Sequence, residues 1–139
     1  MANPLIIETP GRGLVDVTGR VRALVRSCRV DEGVAVVFLH HTSASLLIGE
    51  NADPDVPVDT VGWFDRLVTD GDRHFTHTAE GPDDMSAHIR SILTGVSLSI
   101  PVRGGDLDLG TWQGIFVFEH RYRPHRRRVS VTVIAGVSG

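Results

Sequence analysis

His77 and His88 lie on either side of Glu80-Gly81-Pro82-Asp83-Asp84, a segment that reads as the start of a helix. His88 falls on the apolar stripe of that helix, and His77 belongs to the loop before it. Two imidazoles brought together in this way can hold a metal ion or share proton transfer. A third imidazole comes from His40-His41, where a strand end runs into Thr42-Ser43-Ala44-Ser45 and then Glu50-Asn51-Ala52-Asp53. Successive strand residues face opposite ways, so only one of His40 and His41 can face a given pocket. Three neutral imidazoles and one open position describe a zinc-like catalytic site.

All 14 basic residues are arginine. Without lysine, Schiff-base chemistry and a lysine-dependent phosphate loop are excluded. Arg121, Arg123, Arg126, Arg127 and Arg128, with His120 and His125 between them, suit a phosphate or pyrophosphate, because guanidinium forks match its oxygens. The same run also reads as a solvated hairpin loop edged by arginines. Gly110-Thr111-Trp112-Gln113-Gly114 reads as close backbone approach around a packed aromatic, with the Gln113 amide available to a ligand. Asp53, Asp55 and Asp59 resemble spaced metal carboxylates, but Pro54 and Pro57 interrupt the calcium-loop pattern and its glycine is missing. They read as helix-start carboxylates, with Asp53 retained as a site candidate. No GxSxG, CxxC or HExxH motif occurs.

The elements that must position these residues follow from periodicity. Leu5-Ile6-Ile7 reads as a strand, and Asp16 or Thr18 caps a helix whose face is Val21, Leu24, Val25 and Cys28. Val34 to Leu39 reads as a buried strand and Leu46-Leu47-Ile48 as another. Val58 to Val68 is helical in pattern, with Val61, Phe64, Leu67 and Val68 on one side. Asp70 to Asp83 is a loop. Met85, His88, Ile89, Ile92 and Leu93 mark the apolar stripe of the next helix, which Asp83 or Asp84 caps and Gly95 ends. Val96 to Val102, a Gly104-Gly105 hairpin turn, Ile115 to Phe118 and Val129 to Val133 complete a β-rich second half. Irregular alternation of strands and helices predicts an α+β fold, mostly antiparallel, with two to three helices.

The chain has 139 residues, 41% hydrophobic and 22% charged. That size predicts one domain over residues 1–139 with a proper core. A net charge of −3 argues against nucleic acid as a partner. No apolar run approaches the roughly 20 residues that cross a bilayer. Met1-Ala2-Asn3-Pro4 does not read as a signal peptide, so the cytoplasm is the expected location. Cys28 is the single cysteine and reads as a small buried hydrophobe.

The motifs together resemble the YjbQ-like family. His41-Thr42-Ser43-Ala44-Ser45 with Glu50-Asn51 and Asp53-Pro54 is similar to its first motif. Glu80-Gly81, Asp83-Asp84-Met85 and His88-Ile89 are similar to its second, and Gly110-Thr111-Trp112-Gln113-Gly114-Ile115 with Glu119-His120-Arg121 to its third. The resemblance implies a compact α+β homotrimer joined through its sheets, with a histidine-containing pocket near a subunit boundary. It implies secondary thiamine-phosphate synthase activity, in which an aminopyrimidine diphosphate joins a thiazole phosphate and pyrophosphate leaves. It carries over His41, His77 and His88 as site histidines, together with Asn51, Asp53 and Glu119. Arg90 stands where relatives often have lysine.

An enzyme is therefore expected, acting on a small phosphorylated substrate. His41, His77 and His88 would bind a divalent metal or share acid–base duty, with Glu119 or Asp53 orienting a histidine or acting as base. Thr42, Ser43, Asn51, Arg90, Arg127 and Arg128 would hold the substrate. The imidazoles suit a zinc-like ion, whereas a diphosphate suits magnesium. The alternative expectation is a non-catalytic trimeric module that binds a phosphorylated small molecule without metal.

Overall fold

Period-two alternation builds most of the molecule. A computed structural model describes residues 4–137; Met1 to Asn3, part of the segment read above for a leader, lie outside the described residues. The chain runs β1 (Leu5–Thr9), β2 (Gly13–Asp16), α1 (Thr18–Ser27), β3 (Gly33–Leu39), β4 (Ala44–Glu50) and α2 (Asp55–Leu67). It continues through α3 (Asp84–Thr94), β5 (Ser97–Arg103), β6 (Asp106–Leu107), β7 (Gln113–Glu119) and β8 (His125–Ala135). A five-stranded sheet has the order β1-β8-β3-β5-β6 and a three-stranded sheet the order β2-β7-β4. Every pairing is antiparallel. The α+β class with three helices is as expected. Among the described residues, no helix is long and apolar enough to cross a membrane.

The core lies between the two sheets and α1. Ala35, Val37, Leu39, Val129, Ile100 and Val102 enter from the larger sheet, Leu46, Ile115 and Val117 from the smaller, and Val21 and Val25 from the helix. In β3 the even positions Val34 and Phe38 face outward, so that run is half-buried rather than buried throughout. The N-cap of α1 is Val17, not Asp16 or Thr18; Asp16 accepts the Thr18 amide at 2.9 Å just ahead of the helix, while the Thr18 hydroxyl accepts the Ile115 amide at 2.8 Å and ties the helix to β7. Cys28 is exposed, not buried. It lies beyond the last turn of α1, where Arg29 takes a left-handed φ of 55° and swings the chain away.

One further expectation holds and another changes. Gly104 and Gly105 both have positive φ, as a two-residue hairpin turn requires, and the turn leads into the short β6. The arginine run is loop only in part: Arg121 and Arg123 lie between β7 and β8, whereas β1 pairs from Leu5↔Val129 to Thr9↔His125 and makes Arg126, Arg127 and Arg128 strand residues. Alternation then buries Arg127 and exposes its two neighbours.

The third helix is inverted relative to its hydrophobic pattern. Its buried residues are Asp84, Ser86, Ala87, Arg90 and Ser91, whereas Ile92 is 80% exposed and Leu93 57%. The polar face goes in because its hydroxyls and the terminal nitrogens of Arg90 meet partners there, although the Arg90 Nε does not. Ser91 donates to the Ala44 carbonyl at 2.5 Å, Ser86 to Asp70, and Arg90 to Asp65 at 2.9 Å and to the Val68 carbonyl at 2.8 Å. A buried polar group costs little once hydrogen-bonded, so partners override periodicity here. Helix α2 likewise buries none of its residues, and Leu67 is 52% exposed. Of the apolar side expected for it, Phe64 meets Phe118 edge-on at 5.4 Å, and Val68 is buried just past the helix end.

Candidate metal centre

Helix α3 begins at Asp84, and an (i, i+4) spacing puts His88 on the same face one turn on. Gly81, at φ 99°, lets the loop fold back, and its amide donates to the Thr78 carbonyl at 3.2 Å. This returns His77 to the helix start. The Nε2 atoms of His77 and His88 lie 2.7 and 2.9 Å from the same oxygen, Asp84 Oδ2. One donor atom from each of the three residues lies within 4.8 Å of the others. The two ring centroids are 5.5 Å apart.

The tautomer of His88 makes this arrangement informative. Its Nδ1 lies 2.9 Å from the Thr42 carbonyl, which can only accept, so Nδ1 carries the proton. In the neutral ring Nε2 is then a bare lone pair facing a carboxylate oxygen. Two acceptors at 2.9 Å repel unless a cation stands between them, either a second proton on the ring or a metal ion. A ligating histidine whose other nitrogen donates to a backbone carbonyl is the usual supporting arrangement around a metal. Tetrahedral bonds of about 2.0 Å space ligands about 3.3 Å apart, so each imidazole nitrogen needs to part from the carboxylate oxygen only by about half an ångström.

Asp84 is buried and held on its other side. Arg121 donates to Asp84 Oδ1 at 2.6 Å, to Asp83 Oδ2 at 3.1 Å and to the Glu80 carbonyl at 2.9 Å. Burial alone would raise the Asp84 pKa. The His77 hydrogen bond, the charge that His88 carries when protonated and the charge of Arg121 outweigh burial and hold the carboxyl below its usual range. Its second oxygen is therefore ionised and aimed at the imidazoles. The loop is fixed from the other end by Asp70, which accepts from Arg12 at 2.8 and 2.9 Å and from the Tyr122 hydroxyl at 2.8 Å.

His41 is not the third donor of this cluster; Asp84 is. His41 Nε2 accepts the Arg128 amide at 2.7 Å, which occupies the nitrogen a metal would need. Burial, and then the charge of Arg127, lower its pKa and keep the ring neutral. It does line, with His88 and Thr42, a cavity of about 580 Å³. His40 faces elsewhere, 2.9 Å from the Ser130 hydroxyl, so His41 is the member of the pair that faces the site.

The other expected site residues divide by place. Glu119 is fully buried and both oxygens are committed. Oε1 accepts from Thr9 at 2.6 Å and Arg127 at 2.7 Å, while Oε2 accepts from Arg127 and from the His120 and Arg121 amides. Burial works to raise its pKa, but Arg127 and Thr9 overcome it, and the carboxylate is a structural ion-pair partner rather than a free base. Arg127 also donates to Ser43 Oγ at 2.9 Å, so neither residue is open to an anion. Arg90 is 0% exposed and faces Asp65, not the cavity. Arg128 keeps an exposed side chain. Asn51 and Asp53 follow the far end of β4, about 20 Å from Ala44 by strand rise. There the Asn51 amide donates to the Trp112 carbonyl at 3.0 Å, and Asp53 accepts the Asp55 amide at 2.9 Å. One chain does not bring them to the histidines.

Asp84 and Arg121 are residues of the candidate site that the sequence placed elsewhere, as a helix cap and as an anion binder. The Asp84–His88 spacing was the available signal for the first. Arg121 had only its place in the third motif, because its partners are remote in sequence.

A family model described as UPF0047 protein YjbQ-like matches residues 4–136. A UPF0047 protein of Synechocystis is 50% identical over 129 residues, covering 93% of this chain and 88% of that protein. The UPF0047 protein YjbQ of Escherichia coli O157:H7 is 41% identical over 130 residues, covering 93% and 94%. The crystal structure of a YjbQ/UPF0047 protein from Clostridium acetobutylicum superposes with a TM-score of 0.87 at 36% identity, covering 96% of this chain and all of that one.

Proposed function

The chain belongs to the UPF0047, YjbQ-like family, and we propose that it is a cytoplasmic divalent-metal enzyme whose ion is held by His77, Asp84 and His88. The observation that carries this reading is His88, whose Nδ1–H is spent on Thr42 and whose Nε2 faces an ionised carboxylate. Two imidazoles and one carboxylate leave further positions open, as catalytic zinc and non-haem iron sites do. The donor set favours a zinc-like ion over magnesium, which prefers oxygen ligands and water. When bound, such an ion supplies Lewis acidity and lowers the pKa of a coordinated water. The protein's own part is to keep Asp84 ionised through Arg121 and to place the uncharged His41 beside the cavity.

The narrower reading is the synthase reaction, and it is part of the proposal because the family resemblance implies it. The charge that pyrophosphate needs on departure would come from the ion and from the exposed Arg128, since Arg90 and Arg127 are committed to Asp65 and Glu119. Self-association as a homotrimer belongs to the same proposal. Val34, Phe38 and Ile134 stand exposed on the outer face of the five-stranded sheet and support it.

Metal analysis of the purified protein and of His88→Ala, with thiamine-phosphate synthesis assayed on both, tests these points separately. Near-stoichiometric metal in the parent and little in the variant is expected. A parent that retains no metal after dialysis against zinc overturns the metal centre. A metal-loaded parent with no synthase turnover removes only the narrower reaction. A phosphorylated ligand that stabilises the metal-free protein equally well would favour the binding module.

A further inference from the structure

The cavity beside His88 has a composition that the histidines alone do not explain. It holds about 580 Å³, within the usual range for a small-molecule site. Its wall away from the metal ligands is Ile92, Val96 and Gly95, with His41, Thr42 and Ser91 along one side. None of these is an arginine or a carboxylate. Ser91 donates its hydroxyl to the Ala44 carbonyl at 2.5 Å, and His41 is kept neutral by burial and the charge of Arg127. Of the arginines that might have served an anion here, Arg90 and Arg127 point into the protein and are paired, and the exposed Arg128 is not among the residues that line this cavity, so it can reach only a group at its mouth. Ile92 is 80% exposed although it follows the metal-ligand turn directly, so an apolar surface lies open beside a polar centre.

We propose that the metal centre takes a substrate with a metal-seeking head and an uncharged, largely apolar body, the body lying on Ile92 and Val96. This rests on the metal reading above and deepens it. Charge on the substrate is accepted at the metal end and disfavoured at the far end, where nothing compensates its desolvation. For the synthase reaction, this cavity would suit an aminopyrimidine ring and not the phosphate of a thiazole phosphate.

The test uses the full chain loaded with cobalt(II), three hydroxamate probes sharing one chelating head, and the visible cobalt spectrum as readout. Benzohydroxamate is expected to bind about tenfold or more tightly than acetohydroxamate, through burial of the ring. A para-carboxylate on the ring is expected to cancel that gain. Ile92→Asp, a change at an exposed position that leaves the ligands untouched, is expected to keep cobalt and lose the preference for the ring. Equal binding of the three probes to cobalt-loaded protein overturns the apolar-body proposal and leaves the metal centre standing. Failure to load cobalt overturns both. If Ile92→Asp instead dissociates an oligomer while the parent shows no ring preference, a second copy covers the surface and the proposal falls.

Discussion

At the scale of single residues, Arg121 would decide how well the proposed metal centre works without touching the ion. It fixes Asp84 by one oxygen so that the other can ligate. Arg121→Ala should weaken zinc affinity by about 10- to 100-fold while leaving all three donors in place, as measured by chelator competition. Arg121→Lys should recover only part of that loss, because an ammonium cannot bridge Asp83, Asp84 and Glu80 as a fork does. His120 gives a second prediction. Burial, then the charge of Arg90, hold its pKa at about 3 against 6.5 in the unfolded chain. The unfolded state therefore binds the extra proton between those values. The contribution is fully present above pH 6.5 and is lost as pH falls towards 3, by about 5 kcal/mol across the window. Asp70, held at about 2 by Arg12, Ser86 and Tyr122 despite its burial, keeps its contribution until pH falls below 3.8. Urea unfolding should show stability lower at about pH 4.5 than at about pH 7 by roughly 2–3 kcal/mol, with His120→Phe flattening the difference. A parent equally stable at both would refute this. Of these residues the sequence made the histidines visible and the arginine's role invisible. An imidazole on a helix is conspicuous by type, whereas Arg121 draws its meaning from carboxylates nearly forty positions away.

At the scale of elements, α3 shows why its limits were readable and its orientation was not. Asp83, Asp84 and Gly95 mark both ends through local backbone chemistry, and the helix spans Asp84–Thr94 as expected. Its apolar stripe predicts the buried side only if apolar burial is the largest energy at stake. Here Arg90, Ser86 and Ser91 find partners on β4, α2 and the loop, and leaving them unpaired would cost more than exposing Ile92 and Leu93. The stripe and the contacts thus make opposite predictions. Ile92→Ala should change stability by less than about 0.5 kcal/mol, as exposed positions do. Arg90→Ala should cost about 3 kcal/mol, since it leaves the Val68 carbonyl without its donor and opens space around a side chain that is 0% exposed. Thermal or urea unfolding of the two variants decides, and the reverse ranking would restore the periodic reading. Strand β8 teaches the same lesson: three consecutive arginines read as loop, yet pairing with β1 makes them strand and Glu119 gives the inward one its partner.

At the scale of the whole molecule, the open question is what a neighbouring copy adds. All three metal donors come from one chain, within one loop and one helix. Metal binding should therefore survive dissociation of an oligomer. The residues Asn51 and Asp53 behave differently, because β4 holds them about 20 Å from its other end, where Ala44 packs beside α3. If they serve the same site, a second copy must supply them. The outer face of the five-stranded sheet offers the place to separate these cases, since Val34, Phe38 and Ile134 are exposed there and can accept a charge without disturbing the core. On the proposed trimer, the parent is expected to sediment as a trimer and Phe38→Asp with Ile134→Lys as a monomer with zinc stoichiometry unchanged. Turnover then distinguishes the remaining possibilities. Activity retained in the zinc-loaded monomer means that the site is complete in one chain and that Asn51 and Asp53 serve only to close the β4 end. Activity lost with zinc retained means that the partner completes the site, and Asn51→Ala in the intact oligomer should then lower activity while sparing the metal. Loss of zinc on dissociation would contradict the single-chain centre itself, because no donor in His77, Asp84 and His88 crosses to another copy.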